Sequence, residues 1–199
     1  ASCGKSEDDT SAFTNSAFGG DDISVWPQAS FPLNLKISTA FTNNEFELFD
    51  DGAAEWSNAS GVNFFDLTLT ASNPNHASLA SYYDGEFGIY NATVETESMP
   101  AMALAVTQVF GYSRIKNGQS YVEIVHADII VNDYDFNFST TGEPGTYDLP
   151  TVVLHEIGHF LGLYHYYGSE DSVMYPSISS STTQRTIYAI DSTEIQSKY

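Results

Sequence analysis

An α+β domain, with one large ordered part and one smaller irregular part, is what this 199-residue sequence predicts. Three observations lead there. Alternation of apolar and polar residues marks strands between residues 33 and 131. Two stretches, 44–58 and 148–161, carry helical spacing instead. Beyond residue 165 the chain turns irregular and rich in Ser and Thr. A hydrophobic content of 42% is enough for a buried core, and the length fits one domain divided by a cleft.

Taken in order, residues 1–25 read as a tail, polar and acidic, with only Phe13 and Phe18 to anchor it. Globular patterning starts at Trp26, so the domain is expected to span 26–199. Leu33, Leu35 and Ile37 alternate with Asn34, Lys36 and Ser38 in a first strand. Residues 44–58 place Phe46, Phe49, Ala53, Ala54 and Trp56 at helical spacing. Asn44 is the expected N-cap there, Glu45 and Glu47 suit the positive helix start, and Gly61 marks the exit. Strands follow at 62–69 and 88–94, then one or two more in the β-branched stretch 121–131. Residues 132–146 form a polar loop. The helix at 148–161 has Asp148 as N-cap, Pro150 in its first turn, and Val152, Val153 and Ile157 on an apolar face. A terminal helix is expected from about residue 192, capped by Asp191 or Ser192.

Charge narrows the partners. Lys and Arg total 6 against 26 Asp and Glu, a formal net charge of −20. Nucleic acid and anionic membranes need cationic side chains, so both are excluded. The apolar run 99–110 is broken by Pro100, Thr107 and Gln108 and falls short of the roughly 18 residues a membrane span needs. With one cysteine, Cys3, neither an internal disulfide nor a Cys-based zinc ribbon is available.

Residues 155–165 read HEIGHFLGLYH. On a helix, His155 and His159 project from one face a turn apart, where two imidazoles can meet one Zn²⁺. Glu156 then lies beside the metal, placed to hold a water and accept its proton. Gly162 can turn the chain in a left-handed conformation, so that His165 returns as third ligand. Three protein ligands leave one position open, the arrangement of a catalytic zinc.

This string is the HExxHxxGxxH signature, and the chain resembles the metzincin zinc endopeptidases. Ser172-Val173-Met174-Tyr175-Pro176, with Met174 nine residues after His165, is similar to the matrixin branch, in particular its compact bacterial members. So are Ala127-Asp128-Ile129, Tyr147-Asp148-Leu149 and the ending from Arg185 to Tyr199. The resemblance implies a metzincin catalytic domain: a twisted mixed sheet with a backing helix and an active-site helix, and a small irregular lower lobe. It implies Met174 as an apolar floor under the imidazoles and one catalytic Zn²⁺. Two departures stand out. Tyr166 follows the third histidine where matrixins usually have Ser, and the His- and Asp-rich loop for a second zinc and calcium is not recognisable.

The expected function is hydrolysis of internal peptide bonds, with Glu156 as general base and Tyr175 or Tyr166 as candidates to assist the oxyanion. Substrate would bind extended, against a sheet edge within or just before 121–131. Ca²⁺ is a candidate for the acidic clusters at 50–51, 84–86 and 132–135, though a solvated surface is the plainer reading. His76 and His126 read as surface or strand residues rather than ligands. A monomer is expected, exported to the medium or a bacterial cell envelope, its signal already removed. Cys3 has three readings: a lipid anchor following Ala1-Ser2, a latency ligand that blocks zinc as the Cys-Gly of matrixin pro-segments does, or an inert position. Two rivals to the enzyme are a zinc-containing binding module without catalysis and a surface adhesion domain.

Overall fold

The computed structural model describes residues 13–17, 23–70, 73–74, 76, 78–92, 99–100 and 102–199, and its backbone is organised around one long hairpin. Strand β6 (Ala105–Lys116) and strand β7 (Gln119–Val131) pair antiparallel along their length. Asn117 and Gly118 join them, both with positive φ, 54° and 79°. That is the chemistry of a tight hairpin turn whose twist matches the strands. Opposite the Phe110/Gly111 step the register shifts, from His126 to Ile124, so Val125 forms a one-residue bulge.

The other strands build outward from this hairpin. Strands β3 (Leu33–Ser38), β4 (Phe65–Thr70) and β5 (Phe87–Asn91) run parallel to one another, and β5 runs parallel to β7. Strand β1 (Phe13–Ala17) lies antiparallel on β6, and β2 (Ile23–Val25) lies parallel on β7 at residues 121–123. The seven-stranded mixed sheet thus has the order β1-β6-β7-β5-β3-β4, with β2 beside β7. Two pieces of the segment read as a tail therefore belong to the sheet. Residues 1–12 and 18–22, with Cys3 and Phe18, lie outside the described residues.

Helix α1 (Asn43–Ser60) starts one residue earlier than composition suggests. Thr42, not Asn44, is the N-cap: its side chain accepts from Glu45 N–H at 3.3 Å while Glu45 accepts from Thr42 N–H at 2.7 Å. Gly61 ends the helix in the left-handed region, as expected. Phe49, Ala53 and Trp56 form its buried stripe, whereas Ala54 is exposed. Helix α2 (Leu149–Phe160) is capped by Asp148, which accepts from Thr151 N–H at 3.2 Å. Helix α3 (Ala189–Lys198) begins before the expected residue 192, so Asp191 falls inside its first turn. Strands β8 (Phe138–Ser139) and β9 (Tyr147–Asp148) form a short parallel ladder ahead of α2.

The main core lies between one face of the sheet and helices α1 and α2, and takes in Leu35, Ile37, Phe49, Trp56, Ile129 and Phe160. A smaller cluster, including Tyr82, Tyr90, Val106 and Ile130, covers the opposite face. Trp56 ties the two helices together. It is fully buried, and its indole N–H donates to Leu154 O on α2 at 2.9 Å. Replacing it with Ala should remove both packing and hydrogen bond, and a loss of about 3–5 kcal/mol is expected. Urea denaturation of the metal-free protein would measure it; a loss under 1 kcal/mol would show that α1 does not brace α2.

Candidate active site

His155 and His159 are one helical turn apart on α2, so both leave the same face. The helix must then stop. Gly162 adopts φ of 86°, its N–H donates to His159 O at 2.8 Å, and Leu163 N–H donates to Gly158 O at 2.9 Å. A Cβ on Gly162 would lie 2.3 Å from Ser24 O, so backbone conformation and space both require glycine. The turn returns His165 to the other two histidines. Ring centroids are 4.6 Å apart for His155 and His159, 4.7 Å for His159 and His165, and 5.3 Å for His155 and His165. One nitrogen from each ring lies within 4.8 Å of the others.

In two of the rings the second nitrogen is occupied. His155 Nδ1–H donates to Val173 O at 2.6 Å, and His159 Nδ1–H donates to Leu163 O at 2.8 Å. A carbonyl only accepts, so the proton sits on Nδ1 and Nε2 keeps its lone pair. Burial holds His155 below its usual value and His159 well below it. Burial, then the neighbouring His155, brings His165 down to about 4. All three rings are neutral at physiological pH.

Met174 packs against the same stretch of α2, and a Cβ on Gly158 would fall 2.3 Å from its Sδ. The turn that carries it is held from α3. Asp191, 1% exposed, accepts from Ser172 Oγ–H, from Val173 N–H and from Tyr188 N–H. Ser172 Oγ in turn accepts from Met174 N–H at 3.0 Å. Asp191 was expected only as a helix cap; its structural task is to hold the carbonyl that orients His155.

His155, His165 and Glu156 line a cleft of about 430 Å³, with Met102 to Ala105 along one wall and Tyr175 to Ile178 along another. Glu156 is 6% exposed, and burial pushes its carboxyl up to about 7, against the opposing effect of hydrogen bonds from Thr107. Tyr175 faces this cleft. Tyr166 does not; it lines a neighbouring groove with His165 and Met174. His126 is a buried strand residue whose Nε2 meets Asp128 and Tyr82 O, each at 2.6 Å, and His76 meets Asp84 at 3.1 Å. Among the described residues, the converging group of potential metal ligands is His155, His159 and His165. In the acidic clusters, Asp84 accepts from Glu86 N–H and Asp135 accepts from Asn132 Nδ2–H.

The Matrixin family profile matches residues 36–199, a span that takes in the histidine triad, Glu156 and the Met174 turn. This chain belongs to the matrixins. The matrixin is 27% identical over 157 residues to metalloendoproteinase 2-MMP of Arabidopsis thaliana, covering 78% of this chain. It spans only 37% of that relative's length. Its likeness to a solved structure of high choriolytic enzyme 1, a hatching-enzyme zinc-protease of the medaka fish Oryzias latipes, is slight. The TM-score is 0.33 at 13% identity, over 71% of this chain and 50% of that one.

Matrixin membership implies zinc, and the donor set fits it: three neutral imidazoles, two of them oriented by backbone carbonyls, converge on one point. Two outcomes follow. Protons compete with metal for each ring nitrogen, and the folded values lie below the ordinary 6.5. Zinc should therefore stay bound as pH falls through 6.5 and be lost only as pH approaches the lowered values. Dialysis at stepped pH with atomic absorption checks this; half-loss at pH 6.5 or above would contradict it. Gly162→Ala should also lower zinc affinity although residue 162 offers no donor atom to the metal, because the strained turn no longer returns His165. A chelator competition titration reads that loss, and parent-like affinity would refute it.

Proposed function

We propose that this matrixin is a zinc-dependent endopeptidase that cleaves internal bonds of peptides bound in extended form. One observation carries the reading. A buried carboxylate, Glu156, lines the same cleft as the imidazoles of His155 and His165, with His159 behind them. Zinc held by the three histidines would polarise the scissile carbonyl and lower the pKa of a water towards about 7. The chain's own residues do the rest. Glu156 takes a proton from the attacking water at its carboxylate and passes it to the leaving amine nitrogen. Met174 keeps the floor beneath the rings apolar. Tyr175, in the cleft wall, donates its hydroxyl to the developing oxyanion. Tyr166 lines the other groove and takes no such role here.

The substrate's backbone needs a free strand edge. β7 is interior, with β6 on one side and β5 and β2 on the other, so residues 121–131 offer none. The strand before it, β6, is the candidate. Strand β1 pairs with β6 only from Gln108 to Tyr112, so among the described residues the outer edge from Ala105 to Thr107 has no strand beside it. Ala105 also lines the cleft. An extended peptide added there would pass in front of the three histidines.

The competing reading, a zinc-binding module without catalysis, has no use for Glu156 in the cleft. Glu156→Gln keeps the size of the side chain and removes the base. It should lower kcat by about 10²–10⁴ with zinc content and fold unchanged. Fluorogenic-peptide cleavage with metal analysis checks both halves. Cleavage at the parent rate would remove Glu156 from the mechanism, and a zinc-loaded parent that cleaves no peptide would favour the binding module.

A further inference from the structure

Along β6, alternate residues face opposite sides: Ala105 and Val109 belong to the main core against α2, and Val106 to the cluster on the other face. Thr107 therefore sits in an apolar row, 4% exposed, at a position where valine would fill the same volume. A hydroxyl taken out of water there is unfavourable unless it finds a partner. Its partner is Glu156. Thr107 Oγ1 lies 2.6 Å from Glu156 Oε2 and 3.0 Å from Glu156 O. The hydroxyl has one proton, and the nearer carboxylate oxygen receives it. The Thr107 backbone also bonds to this carboxylate, and among the described residues no ion pair and no hydrogen bond from another side chain reaches it.

We propose that Thr107 is the positioning residue for Glu156: by holding Oε2 it turns Oε1 toward the cleft, where the proton is taken. The inference rests on the peptidase reading and goes one step past it. The same residue ends the stretch of β6, Ala105 to Thr107, that has no strand beside it among the described residues and against which the peptidase reading sets the substrate backbone. Base and substrate thus take their positions from one strand, itself fixed to β7 by the pairing of Thr107 with Ile129. The separation between carboxylate and scissile bond is set by a single rigid element and not by a mobile loop.

Thr107→Val removes the hydroxyl and keeps the shape, whereas Thr107→Ser keeps the hydroxyl and removes the methyl. In the zinc-loaded full chain, the Val variant should lose about 10–100-fold in kcat, the range a misplaced catalytic group costs. Its KM and zinc content should match the parent, and the Ser variant should recover most of the rate. Parent-like kcat in the Val variant overturns the proposal, and so does a Ser variant as slow as Val, since packing and not the hydroxyl would then be at work. If the Val variant does not fold, Thr107→Ala takes its place with the same expectation. A crystal structure of the zinc-loaded Val or Ala variant gives a readout independent of turnover. The Glu156 carboxylate should leave its parent rotamer; an unmoved, well-ordered carboxylate overturns the proposal even if the parent proves not to be a peptidase.

Discussion

Everything chemical in this molecule depends on where helix α2 stops. A helix continued beyond Phe160 would carry the residues after Gly162 away from His155 and His159, and no third imidazole would arrive. Stopping a helix leaves carbonyls without partners, and here Trp26 and Tyr199 supply them. The Trp26 indole N–H donates to Phe160 O at 2.7 Å, and the Tyr199 hydroxyl donates to Leu161 O at 2.8 Å. Tyr199 also accepts from Trp26 N–H at 3.0 Å, so the two caps hold each other. Trp26 stacks on Phe160 at 5.5 Å. The left-handed turn at Gly162 is therefore clamped by residues distant in sequence, which explains how a single glycine can fix a ligand three residues later.

The polar groups buried around the site follow one rule, that each is held by a partner from a different element. His155 is oriented by Val173 O, and Val173 is held by Asp191 of α3. Asp191 accepts three hydrogen bonds, from Ser172, Val173 and Tyr188. Glu156 differs. Hydrogen bonds from the Thr107 side chain and backbone only partly oppose its burial, which pushes it up to about 7. A carboxylate left under-solvated is a stronger base than one in water.

The site was legible in the sequence to the extent that it is local. HEIGHFLGLYH lies within 11 residues, and helix geometry with one glycine turn is enough to bring its histidines together. The parallel strands β3, β4, β5 and the hairpin strand β7 also showed in their alternation or β-branching. β6 did not. Seven consecutive buried residues, Ala105 to Gly111, erase the period of two, because the strand is covered on both faces. Asn117-Gly118 between two apolar stretches was the signal that could have found it. Thr107 was therefore visible only as a polar break in an apolar run, since its meaning needs β6 to cross α2. Asp191 and Trp26 were obscure for the same reason: their partners lie 18 or more residues away. In residues 1–25, composition describes the side chains, whereas pairing on β6 and β7 uses the backbone.

Helix α2 is pinned at its start as firmly as at its stop. Asp148, the N-cap, is fully buried, and an unpaired carboxylate there would be costly. Arg185 answers it with Nε–H donated to Oδ2 at 2.8 Å and a second bond from Nη2–H to Oδ1, a planar fork matched to the carboxylate. The same guanidinium reaches Thr140 O, and Thr151 Oγ1–H donates to the capping carboxylate at 2.6 Å. In a chain with only 6 Lys and Arg against 26 acidic residues, committing one to an interior carboxylate is a strong local preference. It has a mechanical reason. The helix carries two imidazoles and the base, and Ala105 of β6 lines the same cleft. A helix free to slide by a fraction of its 1.5 Å rise per residue would separate Glu156 from Thr107 and from any substrate aligned on β6. Caps at both ends, with Trp56 bonded to Leu154 O between them, remove that freedom.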